Sequence, residues 1–416
     1  MPLTSLRVDA QRLSASVQSL GEIGSYLDEP SGLRGVNRLA LTAEDAKARR
    51  QIMSWMEELE LEVSVDPIGN VYGKLAGSRD LAPLLIGSHI DSVPSGGIFD
   101  GSLGVLSGLE IVRVLREAKR TPERPLVISF FTEEEGCRFG TDMLGSAVAT
   151  GRIELAQAYA LTDRDGITVE QALEAIGFLG TASAPKPHAF LELHIEQGPV
   201  LLRGEHEVGL VTGVQAIRWQ ELEIQGRSAH AGTTPTYLRR DAGLAAARIN
   251  VSLRDMCTSG DYGEMRATVG RNQFHPGRVN VIPSGCSLTV DVRNLDDEAM
   301  GRAAADLEVL YLKLEAEEGV IIERRVTAET RTVRFDEGIR TRMARVASDL
   351  GLDAHELVSG AGHDAQEWAS VCPAGVVFAT GENEGISHNP REFSTVAQCE
   401  AAANVLLQVA LELLEA

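Results

Sequence analysis

A chain of 416 residues is too long for one compact hydrophobic core and points to two domains, or one domain carrying a large insertion. Hydrophobic residues make up 44% and charged residues 24%, which sets aside disordered and fibrous classes. Sixty Asp and Glu against 39 Lys and Arg give a formal charge of -21, which repels phosphate backbones and anionic headgroups, so neither nucleic acid nor membrane is an expected partner.

At the amino end, Met1-Pro2-Leu3-Thr4-Ser5 has neither the basic region nor the apolar stretch of a signal peptide, and no run reaches the ~18 apolar residues of a membrane span. Cys137, Cys257, Cys286, Cys372 and Cys399 are odd in number and form no CxxC pair. Free thiols and a cytoplasmic location are expected.

The first third alternates helical and strand patterns. Thr42 to Leu59 reads as a helix, Leu84 to Ser88 as a buried strand, Val105, Leu106, Leu109, Val112 and Leu115 as a helix face, and Leu126 to Phe131 as a second buried strand. That order is the grammar of a parallel sheet flanked by helices, in which ligands bind beyond the carboxyl ends of the strands.

Two loops sit at such ends. In Gly87-Ser88-His89-Ile90-Asp91-Ser92-Val93-Pro94, a histidine leaves a strand with a carboxylate two residues on. A metal-binding imidazole usually donates its other N–H to a carboxylate or carbonyl, a task that Asp91 suits. Glycines around Asp100 allow the turns that would bring a second carboxylate close. Glu133-Glu134-Glu135 follow the next strand, where their mutual repulsion calls for a cation or a shared proton. One carboxylate can then ligate while its neighbour takes a proton from metal-bound water.

Leu191 to Gly198 alternates as a strand with Glu192, His194 and Glu196 on one face. From Val214 the texture changes: Trp219–Gln225 and Ser287–Arg293 alternate as half-buried strands, and Arg239–Leu253 reads as a helix. This is an expected α+β unit, residues 214–329, inserted in a catalytic unit of 1–213 and 330–416. Within it, His230 lies in Gly226-Arg227-Ser228-Ala229-His230-Ala231-Gly232, where it could donate to a developing oxyanion; Asn280 sits in a turn, and Arg293 suits carboxylate binding. Phe335 to Leu350 returns to helix, Gly375 to Ala379 to buried strand, and Ser394 to Leu414 to a terminal helix preceded by Ser387-His388-Asn389-Pro390.

Taken together, GSHIDSVPSGGIFDG, FTEEEGCRFG, LHIEQGPVL, GRSAHAGTTP and ISHNPREFS occur in one order over nearly the whole chain. This resembles the M20 metallopeptidase superfamily, and within it the hydantoinase/carbamoylase amidases, which include N-carbamoyl-L-amino-acid hydrolases, allantoate amidohydrolases and bacterial β-ureidopropionases. The resemblance implies two divalent ions per subunit (zinc, manganese, cobalt or nickel), ligated by His89, Asp100, Glu135, His194 and His388, with Asp100 bridging. It implies Glu134 as the base and Asp91 as the orienter of His89, with Glu133 one position away in register. Many M20 peptidases place a carboxylate where this sequence, like the carbamoylases, has His194. The resemblance further implies that Gln197, His230, Asn280 and Arg293 bind a small ureido or amide substrate bearing a carboxylate. The inserted domain is then a lid and the dimer interface of a homodimer, with His230 of one subunit over the metals of the other. Gly360 to Asp364 matches a loop at the pocket wall.

The expected activity is hydrolysis of the ureido C–N bond of N-carbamoyl-L-amino acids. Allantoate hydrolysis, N-acyl amino acid or dipeptide hydrolysis, and a non-catalytic binding protein on the same fold are the alternatives.

Overall fold

The computed structural model describes residues 5–415; Met1 to Thr4, read above for leader features, lie outside the described residues. The chain divides into two compact units, Met1–Gly213 with Arg334–Ala416, and Val214–Val333.

The larger unit is built on a nine-stranded sheet. Four neighbouring strands, in spatial order Ala374–Ala379, Ala189–Ile195, Leu84–His89 and Leu126–Phe131, run parallel. Every residue in them is buried. Helices on a parallel sheet cover both faces, which is why these strands read as apolar runs. Burial also changes the meaning of the alternation in Ala189–Ile195. Its polar positions face the interior, where each needs a partner.

Val71–Leu75 and Glu62–Val65 extend the sheet antiparallel on one side, and Val208–Val214 pairs antiparallel with Ala374–Ala379 on the other. The crossover helix Ser102–Glu117 lies directly on the sheet: a Cβ on Gly104 would stand 2.2 Å from the Leu193 carbonyl oxygen. Helices Ala10–Gly21 and Val396–Leu414 pack with it, and Glu337–Asp349 packs on Val396–Leu414 and on the strand Ala374–Ala379. Val396–Leu414 is long and apolar enough to cross a membrane by length and composition, yet 72% of its most apolar stretch is buried, in this unit's core. It opens two residues later than the sequence pattern suggested, because Thr395 and Gln398 form a capping box.

The smaller unit has its own core beneath a five-stranded antiparallel sheet. Gly285–Asn294 is central, pairing along its whole length with Ala216–Gln225, which also pairs with Ile321–Thr330. Helices Ala242–Ser259 and Asp297–Glu318 contribute to this core. The first begins at Ala242 rather than Arg239, because Asp241 caps it by accepting from the N–H groups of Gly243 and Leu244.

Candidate metal centre

His89 is the last residue of its strand and pairs in register with Phe131, the last of the neighbouring strand. The two following loops therefore leave the sheet side by side. His194 lies one residue before the end of the adjoining strand. Asp100 is brought in by Gly101, whose φ of +62° is left-handed and whose Cβ, if it had one, would fall 2.5 Å from the His89 ring. His388 sits in the loop before the last helix, itself with a left-handed φ of 55°, a conformation that non-glycine residues hold only where their surroundings enforce it.

These side chains converge. Asp100 Oδ1 lies 3.3 Å from His89 Nε2 and 3.1 Å from His194 Nε2, and the two nitrogens are 3.5 Å apart. Asp100 Oδ2 lies 3.5 Å from His388 Nε2, which is 3.2 Å from Glu135 Oε2. His89, Asp100 and His194 thus form one group able to hold a cation, and Asp100, Glu135 and His388 form another. Asp100 turns one oxygen to each.

The donor chemistry fits a cation. His89 Nδ1 is 3.0 Å from the Asp91 carbonyl and His194 Nδ1 is 3.0 Å from the Ile195 carbonyl. Carbonyls only accept, so each Nδ1 carries the proton and leaves Nε2 as a lone pair in the neutral ring. Two such lone pairs and a carboxylate oxygen then crowd one point, and a divalent ion answers that repulsion. Without one, protons take its part. Burial opposes charge on His89, but Glu134, Asp100 and Asp91 outweigh it and raise its pKa well above the usual histidine value. Burial likewise works against His388, yet Glu135 raises it to about 9. Burial favours a neutral Asp100, and His194 and His89 overcome it, holding that carboxyl well below the usual range.

The three successive glutamates part company. Glu133, with a left-handed φ of 55°, turns back on its own loop and accepts the main-chain N–H groups of Arg138 (2.8 Å) and Phe139 (2.6 Å). Glu134 Oε2 stands 3.4 Å from His89 Nε2, and burial raises its pKa well above the usual range. Glu135 faces His388.

Asp91 departs from its expected task. Its carboxylate is 3.9 Å from His89 Nδ1, too far for a hydrogen bond, and it is the Asp91 main-chain carbonyl that the ring meets. The carboxylate reaches across instead and accepts from the N–H groups of Glu134 and Glu135. The two-residue spacing brings the backbone to the imidazole first, leaving the side chain free for the next loop.

The face of the His194 strand is shared out in a similar way. Glu192 accepts from Ser88 Oγ (2.7 Å) and the Ala365 N–H (2.8 Å), and Glu196 from the N–H groups of Val200 and Leu201. Gln197 donates through Nε2 to Asp100 Oδ2 at 2.8 Å, while its Oε1 is buried without a hydrogen-bond partner.

Two contributors had little or no signal in the sequence. The His363 ring centroid is 4.6 Å from that of His194, and its Nε2 is 2.8 Å from Ser359 Oγ; with Glu192 and His194 it makes a third group of possible ligands. Its loop was recognisable, its contacts were not. Arg38 is buried and donates to the carbonyls of Leu20, Ile23 and Ile90 and to Ser102 Oγ, pinning the residue between His89 and Asp91. Arginine is ordinarily a surface residue, so nothing in the sequence singled it out.

In the smaller unit, His230 is exposed and bridges to Val281, while the Asn280 carbonyl accepts from the Ala231 N–H. His230 Nδ1 accepts from the N–H groups of Gly232 (3.0 Å) and Thr233 (3.2 Å), so the neutral ring carries its proton on the outward Nε2. Arg293 is paired with Asp291 on its own strand. His230 and Asn280 adjoin the Gly285 end of the central ladder and Arg293 lies near the other end. Eight residues of strand separate those ends, roughly 26 Å. Asn280 and Arg293 of one chain, both expected from the sequence to bind the substrate carboxylate, therefore lie toward opposite ends of this ladder.

The chain as a whole is similar to known proteins. Residues 85–412 match the profile of peptidase family M20/M25/M40. An N-carbamoyl-L-amino-acid amidohydrolase from Rhizobium meliloti is 37% identical over 100% of this chain and 99% of its own length. A hydantoinase/carbamoylase-family amidase of Burkholderia vietnamiensis, known from its crystal structure, is 39% identical with a TM-score of 0.91, covering 98% of both chains. A ureidoglycolate hydrolase of Arabidopsis thaliana is 33% identical over 97% of this chain and 86% of its own.

Proposed function

The chain belongs to peptidase family M20/M25/M40, in its hydantoinase/carbamoylase amidase branch, and we propose that it hydrolyses N-carbamoyl-L-amino acids to the amino acid, ammonia and carbon dioxide. The observation that carries this reading is the pair of ligand groups sharing Asp100 with Glu134 beside them, in a chain whose full-length relatives include a carbamoyl amino acid hydrolase.

His89, Asp100 and His194 would hold one divalent ion, and Asp100, Glu135 and His388 a second. What such ions supply when bound is polarisation of the ureido carbonyl and a water acidic enough to attack at neutral pH. Glu134 takes the water's proton on its carboxylate and returns it to the leaving amine. The unpartnered Gln197 Oε1 is an acceptor for a ureido N–H, which an N-acetyl group lacks at the corresponding position. His230 Nε2–H donates to the carbonyl oxygen as charge develops there.

The ladder separating His230 and Asn280 from Arg293 supports a homodimer in which the smaller unit acts as lid. One copy brings His230 and Asn280 to a site, and the other brings Arg293 to the substrate carboxylate. The native ion is one of zinc, manganese, cobalt or nickel, all suited to mixed imidazole and carboxylate ligands. The five free cysteines accord with a cytoplasmic location.

A second reading, hydrolysis of another ureido acid such as ureidoglycolate or allantoate, is favoured by the Arabidopsis relative. Turnover of N-carbamoyl amino acids, ureidoglycolate, allantoate and N-acyl amino acids, measured side by side on protein whose ions are quantified by elemental analysis, decides the matter. Preference for a substrate other than the carbamoyl amino acids replaces the first reading. An ion-loaded chain inert toward all of them leaves only a binding protein on this fold.

A further inference from the structure

We propose that Ser387 and Glu392 are positioning residues that set the orientation of Asp100, and so decide whether the Glu135/His388 position retains its cation; this rests on the two-ion reading above. Glu392 is buried. Its Oε1 accepts from the main-chain N–H groups of Phe99 (2.9 Å) and of Asp100 itself (3.1 Å). Its Oε2 lies 2.8 Å from Ser387 Oγ, and that hydroxyl lies 2.8 Å from Asp100 Oδ2. Glu392 therefore holds the backbone of Asp100, and Ser387, together with Gln197 Nε2 at 2.8 Å from the same oxygen, holds its side-chain rotation.

The oxygen held by Ser387 is the one facing His388. Ser387 also immediately precedes His388, so one carboxylate and one hydroxyl tie together the Asp100 loop and the His388 loop, 287 residues apart in sequence. A shared carboxylate must offer one oxygen to each ion, and free rotation about its Cα–Cβ and Cβ–Cγ bonds would blur that division. Groups that fix ligand rotamers typically change ion affinity 10- to 100-fold. The fold makes space for this clamp: a Cβ on Gly97 would stand 2.3 Å from Glu392 Oε1.

The clamp needs acceptor and hydroxyl geometry rather than negative charge, which separates it from a plain electrostatic role. In Glu392→Gln the amide oxygen still accepts both N–H groups, and the amide nitrogen donates to Ser387 Oγ while the hydroxyl donates to Asp100.

The test is calorimetric titration of the ion-free full chain with Mn2+ alone, accompanied by thermal melting of the ion-free proteins. The wild type takes up two ions. Ser387→Ala and Glu392→Ala weaken the second by roughly 10- to 100-fold and spare the first, whereas Glu392→Gln stays within a few-fold of wild type. Ser387→Ala removes one hydroxyl and decides the case if Glu392→Ala does not fold. Wild-type affinity for the second ion in Ser387→Ala overturns the proposal while leaving the two-ion reading intact. A Glu392→Gln variant as impaired as Glu392→Ala overturns it in favour of a charge effect. A wild type that binds fewer than two ions removes both readings together.

Discussion

Asp91 and Glu134 are joined by a hydrogen bond from the Glu134 main-chain N–H to Asp91 Oδ1, and the second Asp91 oxygen takes the neighbouring N–H of Glu135, each at 3.3 Å. The carboxylate of the histidine loop thereby sets the height of the glutamate loop. Asp91→Asn would turn an amide N–H2 toward one of these N–H donors and break that bond. The expected outcome is a kcat roughly 10- to 100-fold lower, with the His89 position still occupied, since its Nδ1 partner is a main-chain carbonyl. Steady-state kinetics with ion analysis checks this, and unchanged turnover would remove the assigned role.

Glu134→Gln keeps the size of the side chain and abolishes its basicity. Glu134 belongs to neither group of ligands that shares Asp100, so ion content should hold while kcat falls by about 100- to 10,000-fold. Near-normal turnover with ions in place would transfer the proton-accepting role to another residue.

In the ion-free protein the pKa of His89 is raised well above its usual value and that of His388 to about 9. A raised pKa means the folded chain holds the proton more tightly than the unfolded one. This contribution to stability is fully present below the ordinary histidine pKa and is lost as pH rises through the folded values. Ion binding has the opposite sign, because each cation must displace those protons. Affinity is therefore expected to climb with pH up to about 9, with protons released on uptake. Titrations in two buffers of different ionisation enthalpy count those protons; a flat affinity and no release would contradict the proposed ligand set.

Mixed dimers probe the sharing of a site between copies. If His230 of one copy serves the site that uses Arg293 of the other, neither His230→Ala nor Arg293→Ala homodimers turn over. An equal mixture that exchanges subunits then regains about one quarter of wild-type activity, because half the dimers are mixed and each of these has one complete site. A mixture that remains inactive despite demonstrated exchange places both residues in one copy's site.

The types of residue at the site were readable from the chain itself. Histidine at the end of an apolar strand, successive carboxylates whose repulsion calls for a cation or a shared proton, and glycine beside Asp100 are local facts, and local chemistry states them. Buried parallel strands also announce themselves through unbroken apolar runs, so the sheet and its rim were legible. Where each side chain ends up was another matter. Nothing in Glu133-Glu134-Glu135 tells which of the three turns back; the left-handed backbone at Glu133 and the N–H groups of residues 138 and 139 decide it. Asp91 lies two residues from His89 in sequence, yet its carboxylate belongs to the facing loop. Glu392 and Asp100 meet only because the loop before the last helix and the Asp100 loop fold onto one rim. The separation of His230 from Arg293 follows from strand pairing, which converts sequence distance into length along a ladder. Sequence thus determined the inventory of donors and acceptors, and tertiary structure decided their partners, since hydrogen bonds and ion contacts depend on ångström distances that only the closed chain sets.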